Sequence, residues 1–506
     1  MIKFEVRAWG EAELQPRENE LAWKIAEYAV SRPTIDNDTT EMVRCRMVDN
    51  AAVALAAINR EAVKSARAMA LAHPRNHGAT IIGLPSEITV HAEWAAWANA
   101  CAIRELDFHD TFLAADFGHP GDNIPPLVAV AQQTGKNGYD LIRAIAIAYE
   151  VHVALIKGIC LHRHKKDHVA HLLPATVAGI GALLDLPMEI VYHAINQVVH
   201  LGFSTRQSRK GEITSWKAYV PAYSGKTAVE AIDRAMRGEG APNPIYEGTD
   251  SVIAWMLDGP RGQYTVPFPD PGEPPRGILE TYTKAYSAEY QAQALIDLAF
   301  EIREHVDLKR IKKIIFHTSN HTHVVIGTGS GDRQKFDPKA SRETLDHSAM
   351  YILAVALHNG RWHHNDSYSA ACTKHSELLE LWKKIETRED PYWEERYHHQ
   401  NPTKRAFGGR LEVFLDDGSV IELEKDVANA HPCGTNPWTW NNYLTKFDTL
   451  TAGSITPLER DRFVNAISNF GNLNSEGIKG LNPILPSDII LDKAHVSHGI
   501  FDWPPP

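Results

Sequence analysis

The sequence predicts a mostly α protein in which a large all-helical domain carries a smaller α+β lid domain. Three observations predict it. From about residue 20 to 235, apolar residues recur at three- and four-residue spacing. Near residue 237 that texture gives way to stretches dense in Pro and Gly, RGEGAPNPIYEGTD and YTVPFPDPGEPPRG. Beyond them helical and alternating patterns are mixed, as in an α+β unit. A chain of 506 residues also exceeds what one core usually organises. The expected division is a helical domain over 1–275, an α+β lid over 276–437, and C-terminal helices over 438–506 that return to the helical domain.

Within the helical domain, MVRCRMVDNAAVALAAI, REAVKSARAMALA and YDLIRAIAIAYEVHVALI each keep an apolar stripe. HVAHLLPATVAGIGALLDL differs, because Ala175, Ala178, Gly179, Gly181 and Ala182 let helix backbones come close. It is expected at the centre of the domain, and a further helix is expected to begin near Ser224. In the lid, YQAQALIDLAFEIREHV reads as an amphipathic helix, RIKKIIFHTS as a strand and SRETLDHSAMYILAVALHNG as a helix. GGRLEVFLDDGSVIELEK reads as two alternating strands turning through Asp416, Asp417 and Gly418. LERDRFVNAISNF, in the tail, is again helical.

Composition narrows the function classes. Apolar content of 43% and charged content of 23% are those of an ordinary globular protein. A net charge of −11 argues against a broad nucleic-acid surface. No membrane span is expected, since the best apolar window, LIRAIAIAYEVHVALIKGI, is broken by Arg143, Glu150, His152 and Lys157. The opening MIKFEVRAWGEAELQPRENE lacks the apolar core of a signal peptide, so a cytoplasmic protein is the expectation. Five cysteines, each isolated, fit neither a disulfide framework nor the close spacing of iron–sulfur ligation.

Residues 105–123, ELDFHDTFLAADFGHPGDN, place carboxylates and imidazoles between two apolar segments, HAEWAAWANACAIR and IPPLVAVA. A solvated loop would explain them about half the time. The alternative is the floor of a polar cavity in which protons move. Lys217 stands between Trp216 and Tyr219, and Lys284 stands among aromatics at the entry to the first lid helix. Either lysine alone could simply cover apolar surface with its stem. His168 directly precedes the Ala/Gly-rich helix and is better placed for a buried cavity than His162 or His164. The other histidine clusters, HTH at 321–323 and His363–His364, lack a tight metal signature, and cations interleave HRHKKDHVAH. No metal and no cofactor is expected. SGKT at 224–227 lacks the leading glycine of a phosphate loop, and GTGSGD at 327–332 is expected to be a flexible loop rather than a dinucleotide fingerprint.

The stretch LDFHDTFLAADFGHPGDN closely resembles the signature of the iron–sulfur-independent 2-methylcitrate dehydratases of the MmgE/PrpD family. GYDLIRAIAIAYEV, DHVAHLLPATVAG, SWKAYVPAYSGKTAVEAI, YTKAYSAEYQAQA and HSAMYILAVAL extend the resemblance over nearly the whole chain. The wider family also contains cis-aconitate decarboxylase and an iminodisuccinate epimerase. The resemblance implies a helical domain with a lid, a homodimer, and a site at the junction of the domains. It implies catalytic roles for Asp107, Thr111, His119 and His168, and substrate binding by Lys217, Lys284 and, through a looser alignment of the lid, His323. The LAADFG segment is two residues longer than in the decarboxylases, which favours dehydration.

The expected reaction is elimination of water from 2-methylcitrate to 2-methyl-cis-aconitate in propionate catabolism, with citrate or cis-aconitate as further candidates. A trianion losing a proton and a hydroxide needs a base, an acid and fixed cations. Asp107 or His119 would be the base, His168 the acid, and Lys217 and Lys284 the cations. Three rivals stay open: another lyase or epimerase of the same fold, a metal-dependent hydrolase using the histidine clusters, and a non-enzymatic binder of an acidic metabolite.

Overall fold

The computed structural model describes residues 2–13, 15–399, 401–491 and 499–502. Its large body is helical, as the 3.6-residue periodicity predicts. Helix Asn37–Ala56 is opened by Asp36, whose carboxylate accepts from the Thr39 amide at 2.8 Å, and helix Gly138–Gly158 is opened by Asn137 in the same way. At the centre lies Val169–Leu184, buried along almost its whole length. Its glycines are required there. A Cβ on Gly179 would stand 2.9 Å from the Ala148 methyl, and one on Gly181 would stand 2.5 Å from Val191. Three helices therefore meet at a separation only glycine permits.

Two main buried clusters organise the described residues. The larger joins Val48, Ala148, Ile180 and Ile195 of the body to Tyr443, Phe447, Phe463 and Phe470 of the C-terminal helices Trp440–Thr451 and Pro457–Ser468 and the turn that follows. The smaller packs helices Gln293–Arg303 and Ala349–Asn359 on one face of a four-stranded sheet through Leu295, Phe316, Leu353 and Val413. Losing the Phe316 ring from that core would cost about 3–5 kcal/mol. The strand order is Val420–Lys425, Gly409–Leu415, Ile311–Thr318, Ile385–Glu389, and only the last pair is parallel. No helix among the described residues is long and apolar enough to cross a membrane.

Three local expectations change. The body is not purely helical: Ile2–Arg7 pairs antiparallel with Gln263–Phe268, with Val6 opposite Tyr264. The lid helix around residue 350 is two pieces, Arg342–Leu345 and Ala349–Asn359, because Ser348 caps the second and accepts from the Tyr351 amide at 3.2 Å. The helix expected to begin near Ser224 begins at Trp216, which puts Lys217 in its first turn. Pro221 inside it has no N–H to give the Lys217 carbonyl, which accepts instead from Arg209 Nη1 at 3.4 Å.

Candidate active site

The stretch 105–123 is not a solvated loop: from Asp107 to Asn123 nearly every polar side chain is buried. Helix Ala92–Arg104 ends in a tight turn, with the Asp107 amide donating to the Arg104 carbonyl at 3.0 Å. Asp107 takes φ +49°, a left-handed conformation that costs a non-glycine residue about 1–2 kcal/mol. The short strands Phe112–Leu113 and Phe117–Gly118 then form a hairpin, and a turn at Pro120–Asn123 leads into helix Ile124–Thr134.

Much of the stretch holds itself in place. Asp110 accepts from the Gly121 amide at 2.8 Å and faces Arg46 Nε at 3.4 Å. His109 Nε2 meets Asp122 at 3.0 Å, and Asp116 accepts from the Leu161 amide at 2.8 Å. Thr111 donates its hydroxyl to the Gly118 carbonyl at 3.0 Å and its amide to Tyr282, so it braces the hairpin.

Asp107 is the centre of charge. Lys284 Nζ lies 2.7 Å from one of its oxygens and Lys217 Nζ lies 2.9 Å from the other. Arg104 Nη1 is 3.5 Å away, His347 Nε2 3.9 Å and His119 Nε2 4.0 Å. Burial pushes the Asp107 carboxyl up, yet Lys217, Lys284 and Arg104 together outweigh it and hold the group well below the usual carboxylate range. Asp107 is therefore a fixed anion and a poor base. Lys217 also sits 3.2 Å from Asp346, which bonds to the ring of His347. Asp346 is raised by burial but brought down to about 2 by Lys217, His347 and Arg342.

His119 has the opposite character. Its Nδ1 lies 2.9 Å from the Asp110 backbone carbonyl, which only accepts, so Nδ1 carries the hydrogen and Nε2 keeps its lone pair. Burial, then Arg104 and Lys284, hold it well below its ordinary value, so it is neutral at physiological pH. The His168 ring lies edge-on at 5.3 Å, with Nδ1 buried and unpartnered, and burial brings it down to about 3. Two imidazoles and two ammoniums thus surround one enclosed point beside Asp107.

Asp107, Asp346 and His347 could by spacing hold a metal ion. The Lys217 ammonium already lies in the middle of that set, 2.9 Å from Asp107, 3.2 Å from Asp346 and 3.4 Å from His347 Nδ1. The cation of this ligand set is a lysine. Of the residues named from sequence, Asp107, His119, His168, Lys217 and Lys284 come together, and Thr111 braces them. His323 does not join them: its Nδ1 bonds Thr387 at 2.7 Å within the lid. The neighbouring His321 turns toward the body instead, with its ring 4.8 Å from His162 and stacked at 5.1 Å on Tyr397. Sequence reasoning missed Arg104, Asp346 and His347. For Asp346 and His347 the signal was available: the pair stands directly before an uncharged apolar helix, as the polar run 105–123 stands before IPPLVAVA.

A cleft of ≈ 710 Å³ opens beside this centre, between body and lid. Lys165, Lys166, Arg206 and Lys210 line it on the body side, and Lys335 on the lid side. Its inner wall touches the centre, since Arg209 donates to the Lys217 carbonyl and Lys335 Nζ donates to the His347 carbonyl at 2.8 Å.

Comparison with known proteins shows the family. The MmgE/PrpD N-terminal domain matches residues 19–265, and the MmgE/PrpD C-terminal domain matches residues 286–471. The chain is 27% identical to the mitochondrial 2-methylcitrate dehydratase of Yarrowia lipolytica over 65% of its own length and 64% of that protein's. It is 25% identical to the probable 2-methylcitrate dehydratase of Saccharomyces cerevisiae, covering 81% of each chain. A fungal alkylcitrate dehydratase is 24% identical over 84% of this chain and 86% of its own.

Proposed function

The chain belongs to the MmgE/PrpD family, and from that premise we propose that it is a hydro-lyase that eliminates water from 2-methylcitrate to give 2-methyl-cis-aconitate. One observation carries the reading: a neutral imidazole with a free Nε2, His119, beside two buried ammoniums that share one carboxylate. The substrate brings three carboxylates, a hydroxyl on one carbon and an acidic hydrogen on the next. Lys217 and Lys284 grip carboxylate in competition with Asp107. One such contact near 4 Å is worth roughly 4 kcal/mol at an effective dielectric near 20, before desolvation. As the C–H bond breaks, charge builds on the neighbouring carboxylate and those contacts strengthen.

His119 Nε2 takes the proton. His168 gives one to the departing hydroxide: burial holds it neutral, and a trianion arriving beside it restores the charged form. The rings are 5.3 Å apart, which puts two imidazoles within reach of one carbon–carbon bond. Five free cysteines support a reducing compartment, and we read the protein as cytoplasmic. We read it also as a homodimer, supported by Trp216 and Tyr223, 56% and 60% exposed on one helix.

Incubation with 2-methylcitrate, citrate and cis-aconitate in turn tests the reaction. Appearance of a conjugated alkene from 2-methylcitrate is expected. Release of carbon dioxide from cis-aconitate without dehydration of 2-methylcitrate would assign the site to decarboxylation instead.

A further inference from the structure

Arg104 ends a helix whose other buried positions are almost all alanine or larger apolar groups, and it is 2% exposed. Its Nε and Nη1 have no hydrogen-bond partner among the described residues. The nearest carboxylate, Asp107, is 3.5 Å from Nη1 and is already held at 2.7 and 2.9 Å by Lys284 and Lys217. The adjacent Glu105 is taken from the other side by Arg60 at 2.7 Å. A buried guanidinium with unmade hydrogen bonds is costly, and a fold keeps such a group where something else completes it.

Its position says what that is. The turn that bonds the Asp107 amide to the Arg104 carbonyl puts both side chains on the same enclosed point. Besides burial and other nearby charges, the Arg104 charge bears on the protonation of Asp107, His119, Asp122, His168 and Lys284, five groups of one site. Counting fixed charge, Lys217, Lys284, Arg104 and Arg342 stand against Asp107, Asp122 and Asp346, an excess of one positive charge. Without Arg104 that excess would vanish, against a substrate with three negative charges. A guanidinium also presents paired N–H groups in the geometry a carboxylate accepts, which a lysine does not.

We propose that Arg104 is a third carboxylate-binding cation of the site, taking the substrate carboxylate that Lys217 and Lys284 leave unpaired, so that the site selects tricarboxylates over dicarboxylates. This rests on the tricarboxylate reading of the site but goes beyond the reaction itself. The test is calorimetric binding of propane-1,2,3-tricarboxylate, which has no hydroxyl to lose, and of glutarate, to wild type, Arg104→Met and Arg104→Lys. Arg104→Met is expected to weaken the tricarboxylate about 30-fold or more and glutarate less than threefold, with Arg104→Lys in between. Equal tricarboxylate affinity in wild type and Arg104→Met, or no tricarboxylate binding by wild type, overturns the proposal. If thermal denaturation shows the Met variant unfolded, Arg104→Gln replaces it, and equal affinity in wild type, Lys and Gln variants overturns it as well. The readout is affinity for an inert ligand, so failure of the hydro-lyase reading shows separately, as absent turnover of 2-methylcitrate by wild type.

Discussion

The Asp107 centre and the cleft beside it are both rich in cations, but they hold them in opposite ways. In the centre every lysine is buried and paired: Lys217 with Asp107 and Asp346, Lys284 with Asp107. In the cleft Lys165, Lys166 and Lys210 lie toward solvent and have no carboxylate partner among the described residues. Burial makes the first set strong and fixed, because a low dielectric and a locked geometry magnify each contact. Exposure makes the second set weak individually but long in reach, acting on a diffusing anion and screened by salt. On the proposed reading, binding and chemistry belong to the first region and capture of the anion to the second.

The comparison breaks first at Lys284. Replacing it by Met removes one of two ammoniums from a buried carboxylate, so kcat/KM for 2-methylcitrate should fall about 10³-fold, in line with roughly 4 kcal/mol per contact. Steady-state kinetics on protein shown to be folded by circular dichroism would read it. A loss under tenfold would mean that the ammonium serves Asp107 alone and never the substrate.

Comparable in size is His119→Gln, which keeps a donor toward the Asp110 carbonyl but removes the basic nitrogen. Turnover should slow by about two to four orders of magnitude while KM changes little, the signature of a lost general base. Equal loss in both would point to a binding role.

The pH profile follows from the same residue. Burial, then Arg104 and Lys284, depress the folded His119 well below the ordinary histidine value of 6.5. A base that must be neutral is therefore already in its working form at pH 6, where an unperturbed histidine would be mostly charged. The acid limb of kcat/KM should lie well below pH 6.5. The stability link has the same sign: His119 binds fewer protons folded than unfolded, so its contribution is present above about pH 6.5 and is lost as pH falls toward the folded value. An acid limb centred at 6.5 or above would exclude His119 as the base.

How much of this was legible depends on the range over which each feature is encoded. The mostly α fold was legible because 3.6-residue periodicity is local, and so was the hairpin through Asp416–Gly418. The strand Ile2–Arg7 was not, although IKFEVR alternates strictly, because an isolated six-residue strand is no sheet and its partner lies more than 250 residues along the chain. In the site, the polar run at 105–123 and the two lysines beside aromatics could be singled out because their local setting is odd. Arg104 passed as an ordinary helix end, because only folding shows which point it faces, whereas Asp346–His347, a polar pair before an apolar helix, was open to be read and was not. His323 and His321 sit two residues apart on the six-residue helix Asn320–Val325, where one turn of the helix decides which ring meets the body.

The smallest expected effect is in the cleft, and it sharpens the comparison most. Changing Lys165, Lys166 and Lys210 together to Gln removes three charges that touch no carboxylate and no catalytic group. If they only guide an anion inward, kcat should be unchanged and kcat/KM should fall about tenfold at low ionic strength. Raising the salt should lower kcat/KM in wild type toward the variant, because screening and charge removal erase the same field. Rates measured from 10 mM to 0.3 M salt (about 30 Å to under 10 Å of screening length) would separate the two curves. Two curves that stay parallel would show that the exposed lysines do not steer, and a fall in kcat would show that they reach the reacting carboxylates. In either case the division between a capturing rim and a reacting floor would have to be redrawn around Arg206 and Arg209, the cleft's inner cations. Arg206 lies with its guanidinium 5.3 Å over Phe117, and Arg209 is already bonded to the backbone of Lys217.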